Sequence, residues 1–390
     1  MTEFDDIRPY NDAEVRPTLD HLLSDKELIH AVAALKFPRF VKVAPWAIKP
    51  IVGRALKHQM AGVQDVRGFQ VVIEKYMRNM IEGTTTALTV SGLDKLDTGK
   101  PYLFVSNHRD ITMDPAIVNW VLYHSGHDTV RIAIGDNLLT KPYVSDLMRL
   151  NKSFIVNRSA TSGREKLKAA KHLSQYIHHS ITGDKANIWI AQREGRAKDG
   201  LDRTNTAVIG MFALCKRKDQ PLSEYIRELN IVPVAISYEL DPCDSAKARE
   251  LYEQRAHGHY EKQEHEDVSS IAAGIAGSKG HVHVAFGEVL NGEYASTEAV
   301  AAEIDRQIIL NYVLYPNNCA AYKAVHGDCP ALKVTDRNRP FDRELFSGQI
   351  KQFELRLQSV PSQWRQIFLE IYANPVVSKL AYSSQATAPG

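Results

Sequence analysis

The sequence predicts an α/β protein: a mostly buried sheet of about seven strands flanked by helices, with an N-terminal amphipathic helical segment and a helical C-terminal extension. Three observations carry this. Short apolar runs recur seven times between residues 86 and 289. Several are rich in Val and Ile without polar alternation, which suits strands covered on both faces. The segments between them have helical period and helix-capping residues, so strands and helices alternate. At 390 residues, 44% hydrophobic and 24% charged, the chain has ordinary globular composition and room for one large domain with appendages, or two domains.

Bulk properties exclude several classes. The opening "MTEFDDIRPYNDAE" is acidic and polar, unlike a signal peptide. No run of 18 apolar residues exists, so no transmembrane span is expected. Cys215, Cys243, Cys319 and Cys329 are irregularly spaced, with no CxxC pair for a zinc site. So few cysteines suit a reducing compartment. The net charge of +2 points to no partner by itself.

Residues 1–85 form the N-terminal helical segment. Within it, residues 28–64 contain no Asp or Glu and six basic residues: Lys36, Arg39, Lys42, Lys49, Arg54 and Lys57. Phe37, Phe40, Val43, Trp46, Ile48, Ile51, Val52 and Leu56 sit between them, and Pro38, Pro45 and Pro50 divide the stretch into short helical pieces. Interleaved basic and large apolar residues are the composition of an interfacial helix. The competing reading is a surface helix packed on its own domain with a basic outer face.

The strand runs follow in residues 86–290. They are "TALTVSG" (86–92), "PYLFVSN" (101–107), "VRIAIGD" (130–136), "SFIVNR" (153–158), "ANIWIAQ" (186–192), "NIVPVAISY" (230–238) and "HVHVAFGEV" (281–289). Asp114-Pro115 predicts a helix start, with the carboxylate as N-cap and the proline at N1. Residues 162–183 predict a long amphipathic helix ending near Gly183. Residues 291–390 read as a mostly helical extension whose tail, "SSQATAPG", frays.

The stretch "SNHRDITMDPA" (106–116) concentrates the chemistry. His108-Arg109-Asp110 matches the tripeptide that opens a kinase catalytic loop. There, however, an Asn five positions after the Asp holds magnesium, and here that position is Pro115. No Asp-Phe-Gly follows and no glycine-rich loop precedes, so the kinase reading is rejected. Acyl transfer to a hydroxyl instead needs a base, a group that orients it, and a cationic surface for any phosphate on the acceptor. His108 follows a buried strand and emerges at its C-terminal end, where α/β sheets place their sites. Asp114 is near enough in sequence to return its carboxylate to the imidazole, as in a Ser-His-Asp arrangement without the serine. The plainer alternative makes Asp114 an N-cap and His108 a loop residue.

Five blocks in order resemble the glycerol-3-phosphate and lysophosphatidate acyltransferase family. "SNHRDITMDP" resembles its NHxxxxD block, "NKSFIVNR" (151–158) its strand ending in Arg, and "AQREGRAKDG" (191–200) its Glu-Gly-Thr-Arg block. "IVPVAIS" (231–237) resembles its proline-bearing strand and "VHVAFGEVL" (282–290) its closing strand. Two departures mark a divergent subgroup. Five residues separate His108 from Asp114 where the family has four, so the loop must bulge or Asp110 must be the partner. Gln192 and Arg193 replace Phe-Pro, and Arg196 follows Gly195 directly, one residue early, with Lys198 matching the next basic position.

The resemblance implies an O-acyltransferase in which His108 is the general base and Asp114 orients it. Asn107 and Arg109 flank the site, and Glu194 and Gly195 meet the acceptor. Arg158, Arg196 and Lys198 hold phosphate, with Arg193 a weaker candidate. The implied donor is an acyl thioester, acyl-CoA or acyl carrier protein, and the acceptor a glycerol-phosphate or lysophospholipid. The implied setting is phospholipid biosynthesis at the cytoplasmic side of a membrane, with the protein peripheral or monotopic. No further cofactor, no metal and no nucleic acid is expected. The remaining histidines, such as His178 and His179, fall on a polar helix face, and the cysteines read as inert. Two rivals remain: a non-catalytic lipid-binding protein of the same fold, and an acyltransferase for a non-phosphate lyso-lipid.

Overall fold

The computed structural model describes residues 3–263 and 266–387. By internal contacts the chain divides into two units, residues 1–79 with 130–176, and residues 80–129 with 177–390. The helices up to the first strand are α1 (Asp12–Leu22), α2 (Lys26–Lys36), α3 (Pro38–Val43), α4 (Pro45–Met60) and α5 (Val66–Thr84). Then come β1 (Thr85–Ser91), β2 (Leu103–Ser106), α6 (Met113–His124), β3 (Arg131–Gly135), α7 (Pro142–Leu150), β4 (Ser153–Val156) and α8 (Gly163–Thr182). These are followed by β5 (Ile188–Ala191), α9 (Thr206–Phe212), α10 (Leu222–Glu228), β6 (Ile231–Tyr238), α11 (Asp244–His257), α12 (Glu266–Ala276) and β7 (Gly280–Phe286). The chain closes with α13 (Thr297–Asn311), α14 (Pro316–His326), β8 (Lys333–Val334), β9 (Arg339–Pro340), α15 (Ser347–Ser359) and α16 (Arg365–Thr387).

The first unit is mainly helical. Val15, Leu19, Leu22, Met60, Phe69 and Leu150 form its core, so α1, α4, α5 and α7 share one apolar centre. Its two strands, β3 and β4, pair in parallel. Two of the three prolines act as expected on α2–α4: Pro38 and Pro45 each open a helix, where their missing N–H costs nothing, but Pro50 lies inside α4, which runs unbroken from Pro45 to Met60. Val41 and Val52 are buried, but Phe40, Val43, Trp46 and Ile51 are 62–84% exposed. Lys36, Arg39, Lys42, Arg54 and Lys57 are exposed beside them.

The second unit holds five strands in the order β1-β7-β6-β2-β5. β2 pairs in parallel with β5 and β6, and β7 is parallel to β1 but antiparallel to β6. All four residues of β2 and all eight of β6 are buried, which explains their unbroken apolar sequence. β1 departs from the buried reading, and β3 and β4 are only partly buried. β1 is a sheet edge, and Val90 is 40% exposed. With β3 and β4 the strands number seven, and the α/β class with flanking helices holds.

The C-terminal region is helical with two departures. β8 and β9 form a short antiparallel hairpin. The expected frayed tail is helical through Thr387, and its last residues, 388–390, lie outside the described residues. Phe353 of α15 and Phe368 and Tyr372 of α16 pack with Ala248 of α11, so the extension shares a core with the helix that follows β6. Among the described residues no helix is long and apolar enough to cross a membrane.

Candidate active site

The loop between β2 and α6 is organised around one carboxylate. Asp114 is fully buried, and its Oδ2 accepts from His108 Nδ1 at 2.9 Å, from the Arg109 N–H at 2.6 Å and from the Asp110 N–H at 2.9 Å. Its Oδ1 accepts from the Tyr238 hydroxyl at 2.8 Å. Four hydrogen-bond partners thus converge on this one buried carboxylate and fix its position. The extra residue between His108 and Asp114 is absorbed by a turn whose two N–H groups converge on the same oxygen as the imidazole.

The helix start differs from the sequence reading. α6 begins at Met113, so Asp114 lies inside its first turn and is not the N-cap. Asp110 takes the capping role: its Oδ1 accepts from the N–H groups of Thr112 at 2.9 Å and Met113 at 2.8 Å. That frees Asp114 to face the imidazole. Burial, and then the charge of Asp114, raise the Asp110 carboxyl above its ordinary range. Of the two candidate partners for His108, the structure therefore places Asp114 on the ring.

Asn107 is fully buried and holds the loop to β6. Its Nδ2 donates to the Ile236 carbonyl at 3.0 Å and its Oδ1 accepts from the Ile236 N–H at 2.8 Å. Arg109, expected to flank the site, turns inward. It is 6% exposed and donates to Asp202 Oδ2 at 2.6 Å and to the Gly200 carbonyl at 3.1 Å. Burial opposes its charge, but Asp202 outweighs that and holds the guanidinium above its usual value. Arg109 is thus a strut of the loop, because a buried guanidinium needs a paired carboxylate.

The loop after β5 meets the His108 loop directly. The Ala197 N–H donates to the His108 carbonyl at 2.8 Å, and the Gln192 N–H to the Ser106 carbonyl at 2.8 Å. Trp189 of β5 lies 6.0 Å from the imidazole, edge on. Gly195 has φ +73, a conformation only glycine adopts easily, and open space lies where a Cβ would stand. Glu194 beside it is exposed. Arg196 is half-buried and reaches the Ser270 hydroxyl of α12 at 3.4 Å. Lys198 is paired with Glu250 Oε1 of α11, so its charge is already partnered. Arg193 is half-buried. Arg158 belongs to the first unit, where its N–H donates to Asp136 Oδ1 at 3.1 Å.

Two side chains that shape the loop were not singled out from sequence. Tyr238 ends β6, and its hydroxyl faces Asp114; burial, and then the Asp114 charge, raise it well above the usual tyrosine value. Lys247 of α11 is 2% exposed and donates to the Arg109 carbonyl at 2.7 Å. A Tyr at the C-terminal end of a buried strand is a readable signal. Lys247 gave none, sitting in "SAKARELYEQR" like any lysine of a surface helix. Among the described residues no group of three or more His, Cys, Asp or Glu is placed to hold a metal ion.

Residues 87–237 match the family model described as Acyltransferase. That span contains His108, Asp114 and the loop after β5. The crystal structure of a 1-acyl-sn-glycerophosphate (LPA) acyltransferase, PlsC, from Thermotoga maritima is similar to 73% of this chain and 92% of its own. The identity is 12% and the TM-score 0.38, a likeness too loose to carry an argument. No curated protein matches the chain significantly.

Proposed function

We propose that this chain, whose residues 87–237 match the acyltransferase family model, moves a fatty acyl group from an acyl thioester to a hydroxyl of a glycerol-phosphate or lysophospholipid acceptor. The observation that carries the mechanism is the 2.9 Å contact between His108 Nδ1 and Asp114 Oδ2. With Nδ1 engaged, Nε2 takes the proton from the acceptor hydroxyl. The alkoxide oxygen attacks the thioester carbonyl carbon, and the carbon–sulfur bond then breaks. The thiolate leaves, and the imidazolium returns its proton to that sulfur. Asp114 supports the imidazolium while it lasts and keeps the ring in one tautomer.

Arg196 is the residue we assign to the acceptor's phosphate. Its one hydroxyl contact is long, and a guanidinium suits bidentate phosphate recognition. Lys198 would first have to exchange Glu250, which makes it the weaker candidate. Gly195 leaves the backbone of its loop open to an approaching acceptor. The donor is acyl-CoA or acyl carrier protein.

The lipid setting rests on α2–α4. Phe40, Val43 and Trp46 are 63–84% exposed within residues 28–64, which hold six basic and no acidic residues. Such a surface favours an anionic bilayer face, with aromatic and aliphatic side chains inserted and the basic ones at the headgroups. The reading places the protein as peripheral or monotopic on the cytoplasmic side. The test is an acyl-transfer assay of the purified protein with acyl-CoA and acyl carrier protein donors and a panel of lyso-acceptors with and without phosphate. Transfer to a phosphate-bearing acceptor is the expected result. Lipid binding without transfer would favour the non-catalytic reading, and preference for a phosphate-free acceptor would remove the phosphate role.

A further inference from the structure

Residue 109 is held at three points. Its N–H donates to Asp114 Oδ2, its guanidinium to Asp202 and the Gly200 carbonyl, and its carbonyl accepts from Lys247 Nζ at 2.7 Å. The third hold comes from α11, outside the segment matched to the acyltransferase family. The Lys247 ammonium is 2% exposed and pairs with Asp241 Oδ2. Burial works against the Asp241 charge, but Lys247 and the Cys243 N–H hold its carboxyl below the ordinary range. Behind this pair stand the C-terminal helices. The Tyr372 hydroxyl of α16 accepts from the Asp241 N–H at 2.9 Å and donates to Asp244 Oδ2 at 2.7 Å. Arg356 of α15 donates to both Asp244 oxygens, at 2.6 and 3.0 Å, and to the Asp241 carbonyl at 2.9 Å. The backbone of α16 also presses on the Gly200 turn: a Cβ at Gly200, φ +80, would collide with the Ile371 carbonyl oxygen.

A buried ion pair contributes little stability beyond what a well-packed apolar pair would give. Stability alone therefore does not account for a lysine here. Its free donor is aimed at one atom, the carbonyl of the residue that follows His108. That residue sits where the loop accommodates five positions between base and carboxylate instead of four. We infer that Lys247 is a positioning residue for the His108–Asp114 pair, and that the C-terminal extension holds it through Asp241, Asp244, Arg356 and Tyr372. The extension is then part of the catalytic unit: α15 and α16 fix the turn that presents the imidazole. This inference rests on the dyad proposed above.

The test is Lys247→Met, which keeps the stem and removes the ammonium, read in three ways. Amide hydrogen exchange should quicken about tenfold across residues 107–114 while β2 and β6 stay protected, because a constraint on that turn is lost. The kcat should fall about 10²-fold with the donor and acceptor KM within about twofold, the expected cost of a misplaced base. In an Asp114→Asn background the further loss should be small, because both changes act through one pair. If the buried, unpaired Asp241 prevents folding, Asp241→Asn with Lys247→Met removes both charges and should give the same loop exchange and kcat. Unchanged exchange at 107–114 overturns the inference, as does a kcat loss that is undiminished in the Asp114→Asn background. A fully active His108→Ala protein would instead defeat the dyad reading, and the exchange result alone would then decide whether Lys247 holds the turn.

Discussion

Replacing Asp114 by Asn removes a charge while keeping nearly the same shape. The Asn carbonyl oxygen can stay where Oδ2 now accepts from His108 Nδ1 and from the Arg109 and Asp110 N–H groups. The amide nitrogen then faces the Tyr238 hydroxyl, which must turn its hydrogen away. One hydrogen bond is disturbed, about 1 kcal/mol, so the protein should stay folded. The rate is a different matter. During attack the imidazole becomes positive beside a carboxylate that Asn lacks. Opposite charges about 4 Å apart at an effective dielectric near 20 attract by about 4 kcal/mol. At about 1.4 kcal/mol per tenfold, that is roughly a 10³-fold fall in kcat. The assay is steady-state acyl transfer at saturating donor and acceptor, paired with a thermal melt. A folded Asp114→Asn protein within about fivefold of wild-type kcat would refute the reasoning.

Asp110→Asn should cost far less activity, since Asn can still cap the Thr112 and Met113 N–H groups; a greater loss than Asp114→Asn would reverse the assignment of the partner. The same change should raise the melting temperature at pH 7. The Asp110 carboxyl is raised in the folded protein, so its ionised form costs stability above that raised value, and the gain should fade as pH falls towards the ordinary carboxylate range. Arg196→Ala should weaken a phosphate-bearing acceptor more than the donor, by about 1.5–3 kcal/mol for a charge-assisted contact; equal losses for acceptors with and without phosphate would remove Arg196 from that role. Each basic residue near an anionic surface contributes about 1 kcal/mol, so changing Lys36, Arg39, Lys42 and Lys49 to Glu should abolish flotation with anionic vesicles. High salt should release the wild-type protein only partly, and failure of wild type to float at low salt would make α2–α4 a packing element.

β2, β5, β6 and β7 were legible because burial on both faces writes a nearly continuous apolar run. β6, read as 230–238, is Ile231–Tyr238 and is buried throughout. β1 looked the same in sequence, yet it is an edge, since strand order depends on pairings that no local run encodes. Around the site, His108 and Asp114 were visible from residue type and spacing. The exchange of capping roles between Asp110 and Asp114 was not, because both are carboxylates within one turn of the helix start. Arg109 read as a site residue and is a strut, since only the fold brings Asp202 to it from 93 positions away. Lys198 lost its apparent freedom in the same way, to Glu250. The hairpin β8–β9, with two residues in each strand, is too short to leave a pattern against the helices around it.

Whether the imidazole of His108 is the base can be asked in a single turnover, with excess protein over a labelled acyl thioester and a saturating phosphate-bearing lyso-acceptor. The wild-type protein should move the acyl group to the acceptor hydroxyl. His108→Ala, with an unchanged melt and unchanged vesicle binding, should be slower by about 10²- to 10⁴-fold, the usual worth of a positioned general base. Acyl transfer by His108→Ala at close to the wild-type rate would contradict the account.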